Sequence, residues 1–214
     1  MTSGASPTPE ARRLRGGLTT SARWLRALAA ATLSMLAMPA LALDLAELMT
    51  LLAQVRSGEA RFTEQRTVQG LDAPLFSSGT LSFAAPDRFA RHTLKPRPES
   101  MVVEGNMVTL TRSGRTRTVV LDAIPEVEAI VEAVRGTLTG NAGSLQQHFR
   151  TAVAGNAEQW TLELRPIEPR LQVLLASVHI VGRGSLLRSV EMRMADGDRS
   201  LMQVEPVAPA ARKP

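Results

Sequence analysis

The chain has 214 residues, 44% hydrophobic and 21% charged, with 25 Lys+Arg against 20 Asp+Glu, the composition of one ordinary globular domain. It contains no cysteine, which excludes disulfide frameworks, thiolate metal sites, cysteine nucleophiles and a lipid-modified cysteine of its own. Aromatic residues make up 3%, five Phe and two Trp with no Tyr, too few for a module that stacks bases or sugar rings.

Arg12, Arg13, Arg15, Arg23 and Arg26 precede an apolar run from Ala27 to Met38, followed by Pro39 and Ala40-Leu41-Ala42. This is the order of a secretory signal peptide over residues 1–42, with cleavage expected after Ala42. About twelve apolar residues fall short of the roughly twenty that span a bilayer. The Arg12-Arg13 pair fits a twin-arginine signal only loosely, because Leu14-Arg15-Gly16 follows it. Five of the 25 bases and one of the 20 acids lie in this leader, leaving 20 against 19 and a net charge of +1. The excess positive charge is therefore no sign of a nucleic-acid partner. Export without cysteine points to a bacterial envelope compartment, the periplasm first.

Asp44-Leu45-Ala46-Glu47 supplies the N-cap and N3 acid of a capping box, and Leu45, Leu48, Met49, Leu52 and Val55 recur at helical spacing up to Gly58. From Ala60 the period shortens towards two. Strand signals stand at Ala60–Phe62, at Leu81–Phe83, and at Arg88–Leu94 beyond the Pro86-Asp87 turn. Met101–Glu104 and Met107–Thr111 flank Gly105-Asn106, and Ser113-Gly114 turns the chain into Arg117–Leu121. Pro125 opens a second helix with the stripe Val127, Ile130, Val131, Val134 and Leu138, and with Glu126 and Glu128 near its N-terminus. Ser144–Phe149 reads as a short further turn of helix. Strands resume at Trp160-Leu162-Leu164 and continue at Val178–Val181, Leu186–Met194 and Arg199–Val204, joined by the Gly182–Ser185 and Asp196–Asp198 turns. The folded body is expected over 43–205, and the tail 206–214 is expected to be disordered.

Nine or ten short strands with two main helices predict an α+β fold, one extended antiparallel sheet that curls, with its helices on one face. Along Leu186–Met194 the even-numbered residues are mainly apolar and the odd-numbered ones mainly polar. In a half-open barrel the apolar face, capped by amphipathic helices, lines a cleft for an apolar ligand.

Four segments in order, Ala60-Arg61-Phe62-Thr63-Glu64-Gln65, Ser78-Gly79-Thr80-Leu81-Ser82-Phe83, Pro86-Asp87-Arg88-Phe89 and Pro98-Glu99-Ser100-Met101-Val102-Val103-Glu104-Gly105-Asn106, resemble the periplasmic outer-membrane lipoprotein carriers of the LolA type. Those proteins have an opening helix, a strand with a Phe-x-Gln or Phe-x-x-Gln signature, a Gly-x-Leu strand, a Pro-centred turn and an acid-Gly hairpin. The resemblance is clearest over residues 44–110, with Asp196-Gly197-Asp198-Arg199-Ser200 a weaker echo. It implies an unclosed antiparallel β half-barrel with an α-helical lid, whose apolar cavity shields acyl chains between inner and outer membrane. It also implies an acylated cargo (lipoprotein or glycolipid), an inner-membrane donor transporter and an outer-membrane acceptor. The protein would be a soluble periplasmic monomer without catalytic residues, cofactor or metal. Two departures stand out: Ala85 where many such carriers have a basic residue associated with lid contacts, and Met107-Val108-Thr109-Leu110 where aromatics usually follow the hairpin. They point to a pliable aliphatic cavity and a different acylated cargo, such as a glycolipid or a polyene lipid.

The candidate cavity lining is Phe62, Leu81, Phe83, Phe89, Met101, Val103, Leu110, Val127, Ile130, Val134, Leu162, Val190 and Met192. This choice depends on strand parity, since a one-residue slip exchanges the two faces. Arg88 and Arg91 are candidates for the cavity mouth, where they would meet anionic head groups; solvated strand charge is the plainer alternative. His92, His148 and His179 read as surface or rim residues rather than bases. Asp196-x-Asp198 reads as a hairpin rather than a calcium loop. The sequence has neither a phosphate-binding glycine loop nor paired His-Glu metal spacing. Three function classes remain: an apolar-cargo carrier, a non-catalytic lipid- or lipoprotein-sensing adaptor on the same fold, and, least supported, an envelope hydrolase.

Overall fold

The computed structural model describes residues 43–207; the expected leader and the tail from residue 208 lie outside the described residues. Asp44 caps α1 (Leu45–Leu52), accepting from the Glu47 N–H at 2.8 Å while Glu47 accepts from the Asp44 N–H at 3.0 Å, so the capping box forms as the residues dictate. The helix stops before Val55. The Arg56 carbonyl already accepts from the Ala85 N–H at 2.8 Å, so strand pairing captures the segment that would have extended the helix.

Six strands follow: β1 (Ser57–Thr67), β2 (Leu75–Ala84), β3 (Arg88–Lys95), β4 (Glu99–Glu104), β5 (Met107–Arg112) and β6 (Arg115–Val120). A single 3-10 turn at Leu121–Ala123 leads into α2 (Pro125–Thr139) and α3 (Ala142–His148). The remaining elements are β7 (Phe149–Gly155), β8 (Trp160–Pro166), a four-residue α4 (Pro169–Gln172), β9 (Leu175–Arg183), β10 (Leu186–Met194) and β11 (Arg199–Pro206). The eleven strands exceed the nine or ten expected because β7 escapes the sequence pattern: Ala152, Ala154 and Gly155 dilute the alternation of Phe149, Thr151 and Val153. The sheet also holds Pro206, and the Val207 N–H donates to the Glu59 carbonyl at 2.8 Å, so order runs past residue 205.

All eleven strands form one antiparallel sheet in the order β6-β5-β4-β3-β2-β1-β11-β10-β9-β8-β7. Two meanders meet where β1 pairs with β11, and β6 and β7 remain as unpaired edges. The sheet must curl. Strands β4 and β8 stand seven places apart in this order, about 34 Å in a flat sheet, yet α2 packs against both wings. Its Ala129 and Ala133 lie in a core with Leu162, Leu164 and Ile180, while its Val131 lies in a second core with Val103, Val108 and Leu121. A helix only about 10 Å across reaches both only if the sheet bends around it. The result is an open half-barrel of α+β class, its two edges joined by the helical crossover between β6 and β7.

The Gly-x-Leu element has a steric reason. At the β2–β3 bulge, a Cβ on Gly79 would overlap the carbonyl oxygen of His92. Gly182 is required in the same way, because a Cβ there would collide with the ring of fully buried Trp160.

Candidate functional site: an apolar trough beneath a bridging helix

Strand register decides which side chains the helices cover. Phe62 stands opposite Gly79 on β2 and Val204 on β11. From there the same face runs through Leu81, Phe83, Phe89, Met101 and Val103 to Leu110 on one wing, and through Met202, Val190 and Met192 to Leu162 on the other. All of the candidate strand residues therefore lie on one face, and it is the face that carries α1, α2 and α3. They differ in burial. Phe62, Val103 and Leu162 are fully packed, Leu81, Phe83, Phe89, Met101, Val190 and Met192 are half-buried, and Leu110 is 41% exposed.

The helix α2 has two working faces. Ala129, Ala133, Gly136 and Thr137 form a small-residue side buried near α1 and α3, with Leu145 close against Gly136. At about 100° per residue, Val127, Val134 and Leu138 point between Ile130 and Val131. Ile130 packs on the β7–β10 core and Val131 on the β3–β5 core, so the three face the interior of the half-barrel between the wings. Val127 and Val134 nevertheless each keep 37% of their surface exposed. Apolar side chains that face inward from both sheet and helix, yet stay wet, mark space that the protein does not fill itself. Two recesses, of 340 and 410 Å³, open elsewhere, beside α1 at Leu43 and Leu51 and at the β7–β8 turn around Asn156. The inner face is bridged by α2 and stays partly exposed at Leu110, Val127 and Val134.

One stretch of the trough floor is polar. Arg91 sits 4.6 Å from the Phe62 ring centroid and donates to Glu64 at 2.5 Å and to Ser77 Oγ at 3.3 Å. Ser200 and Ser77 also donate to Glu64, at 2.5 and 2.9 Å. Burial by itself raises the Glu64 pKa, but the Ser200 hydrogen bond, the Arg91 charge and the Ser77 bond outweigh it and hold the carboxyl below its ordinary range. Arg91 is thus part of an inward ion pair rather than a free cation at the mouth. Arg88 is a correction: it pairs with Ala84 and Glu104 on the opposite face of the sheet, because three residues from Arg91 reverses parity. The sequence reading missed Glu64, Ser77 and Ser200; the only signal for them is that Glu64 shares the parity of Phe62.

A second missed residue holds the helix down. Arg135 Nη2 donates to the Gly105 carbonyl in the β4–β5 turn at 2.7 Å and pairs with Glu132, which in turn accepts from Ser144 of α3 at 2.9 Å. Its Nε is buried without a partner among the described residues. Ala85 offers no side chain for such a tether, and its N–H is spent on Arg56.

The histidines are dispersed. His92 is exposed on the outer face, while His148 and His179 lie 2.6 and 3.4 Å from Glu168 and Glu163. Among the described residues there is no cluster of three or more His, Asp or Glu side chains suited to a metal, and no helix long and apolar enough to cross a membrane. Asp198 accepts from the Gln69 N–H and from Arg66, both at 3.0 Å, closing the β10–β11 hairpin onto the β1–β2 loop.

A family model described as outer membrane lipoprotein carrier protein LolA-like matches residues 37–213. No curated protein matches the sequence. Among solved structures, the chain is similar to a LolA-superfamily protein from Nitrosomonas europaea, with 7% identity over 78% of this chain and 95% of that one, TM-score 0.41. It is also similar to a putative outer membrane lipoprotein-sorting protein domain from Vibrio parahaemolyticus, with 8% identity over 78% and 93% and TM-score 0.40. A third likeness is LprF from Mycobacterium bovis, with 10% identity over 79% and 96% and TM-score 0.34.

Proposed function

The chain belongs to the LolA-like family of outer membrane lipoprotein carrier proteins, and from that premise we propose that it works in the periplasm as a carrier that shields the acyl chains of a lipoprotein or other acylated lipid between inner and outer membrane. The observation that supports this most is that Leu110 on the inner sheet face, and Val127 and Val134 on the side of α2 between the two wings, all stay partly exposed. Complete burial of a sixteen-carbon chain would contribute on the order of 12 kcal/mol. A partly exposed face takes only part of that, which keeps hand-over to an acceptor feasible. Entry of a chain displaces α2 from the β3–β5 wing at Val131 and Arg135, while Ala129 and Ala133 keep it docked beside α1 and α3. In this scheme an inner-membrane donor loads the trough, and an outer-membrane acceptor empties it by offering the acyl chain an equal or better site.

Native mass spectrometry of the protein recovered after export, followed by release and identification of bound lipid, tests the reading. One acylated molecule per protein is expected. Protein that is clean, and that also leaves fluorescent acyl probes unchanged, would exclude the carrier role.

A further inference from the structure

One end of the half-barrel gathers the β1–β2, β3–β4, β5–β6 and β10–β11 turns and the α4 connection between β8 and β9. Of the fourteen large apolar side chains exposed among the described residues, seven lie at this end. Leu71, Leu75 and Phe76 occupy the β1–β2 hairpin, Ile167, Val173 and Leu174 flank α4, and Leu94 closes β3, with Val173 73% and Phe76 65% exposed. At the same end are Lys95, Arg97, Arg115 and Arg170, none of which pairs with an acid among the described residues, whereas Arg66, Arg112 and Arg199 are each matched by a carboxylate. Among the described residues, Asp72, Asp196 and Glu168, whose partner is His148, stand there without an Arg or Lys partner. At the opposite end Glu59, Asp87, Glu104, Asp122, Glu158 and Glu205 outnumber Arg56, Arg61, Arg88, Arg183 and Arg188 by one.

The apolar tips are held in fixed relation to one another. Asp198 in the β10–β11 turn binds the Gln69 N–H of the β1–β2 loop, and the Ala195 N–H of the same turn donates to the Leu174 carbonyl at 3.0 Å. They stand in separate turns, and the turns at this end also carry Lys95, Arg97, Arg115 and Arg170. A lipid interface accepts scattered apolar tips and positive charge at once. We infer that this rim docks the protein on an anionic bilayer surface, with the hairpin and α4 tips entering the head-group layer and Lys95, Arg97, Arg115 and Arg170 on the lipid phosphates. The far end, where acids outnumber cations, lacks this attraction, so the half-barrel stands upright on the membrane.

The inference does not depend on the carrier reading, and its test needs no cargo. Because the chain has no cysteine, a single environment-sensitive fluorophore can be placed through Leu71→Cys or, at the far end, Val120→Cys. The processed protein is mixed with vesicles of phosphatidylcholine alone or with about one-third phosphatidylglycerol. The expected result is a blue shift at position 71 and none at 120, salt-sensitive sedimentation with the anionic vesicles, and binding about tenfold weaker in Phe76→Ser/Val173→Ser and in Lys95→Glu/Arg97→Glu. These exposed substitutions leave circular dichroism and acyl-probe binding unchanged. No sedimentation with either vesicle overturns the inference, as does sedimentation indifferent to the rim substitutions. Cross-linking of the rim to a protein while vesicles leave position 71 unshifted overturns it in favour of a protein-docking surface.

Discussion

Arg135 on α2 reaches the backbone carbonyl of Gly105 in the β4–β5 turn, 30 residues earlier in the chain, at 2.7 Å. With Val131, this bond is what fixes the bridging helix to the wing formed by β3–β5, because the rest of its packing is towards α1, α3 and the other wing. A charged donor's hydrogen bond is worth about 1.5–3 kcal/mol when lost. Arg135→Met is therefore expected to speed hydrogen exchange of the α2 amides roughly ten- to a hundredfold, with the amides of β8 and β9 unchanged. Unaltered α2 protection would show that the bond does not restrain the helix.

The trough makes a distinct demand. Leu110→Glu and Val134→Glu each place a charge on a half-exposed position, so the fold tolerates them, while acyl-probe affinity is expected to fall about tenfold or more. Val103 is the wrong site for this measurement. It is fully buried between Val108, Leu121 and Val131, and a carboxylate there would unfold the wing. Equal probe affinity in wild type and both variants would mean that the inner face is not where acyl chains lie.

Carboxylates lend this fold its pH dependence. Hydrogen bonds from Arg199 and then, against the cost of burial, from Arg193 bring the Glu191 pKa down to about 2, and Glu64 is lowered as well. A group whose pKa is depressed by folding contributes stability above its unfolded value, near 4.5, and loses it as pH falls through the folded value. Melting temperature is expected to hold from neutral pH to about 4.5 and then decline towards pH 2. In Glu191→Gln the neutral-pH melting temperature is lower and the acid decline shallower. An identical acid limb in the variant would rule out Glu191 as a source.

Glycine at position 79 is expected to be irreplaceable. Gly79→Ala forces β2 and β3 apart at His92, costing about 1–3 kcal/mol or more and roughly 2–4 °C in melting temperature for each kcal/mol. Gly58→Ala in β1 is the matched control, since its Cβ meets nothing within 4 Å. Equal melting temperatures for the two variants would remove the steric account of the Gly-x-Leu element.

Much of the local chemistry was legible in the chain itself. The Asp44–Glu47 box, the Gly105-Asn106 and Ser113-Gly114 turns and the stripe of α2 depend on neighbours within a few residues, and each forms where the residues place it. Alternation also sorted the strands into faces, because a side chain's side of the sheet is settled by parity once a single pair is known. The order of Phe62, Gly79-x-Leu81 and the acid-Gly hairpin carried the family.

Tertiary structure alone decided what lies between distant elements. Closing β1 onto β11 sets Ser200 beside Glu64, 136 residues apart, and turns Arg91 into a partner instead of an entrance. It strips Arg88 of its place at the mouth, supplies the Arg135–Gly105 tether that a search near Ala85 misses, and collects exposed apolar tips from three loops at one rim. Periodicity reports which face a residue takes; which residue stands opposite it is fixed only when chain-distant strands pair and the sheet curls, and those partners determine whether a charge is free or a valine is dry.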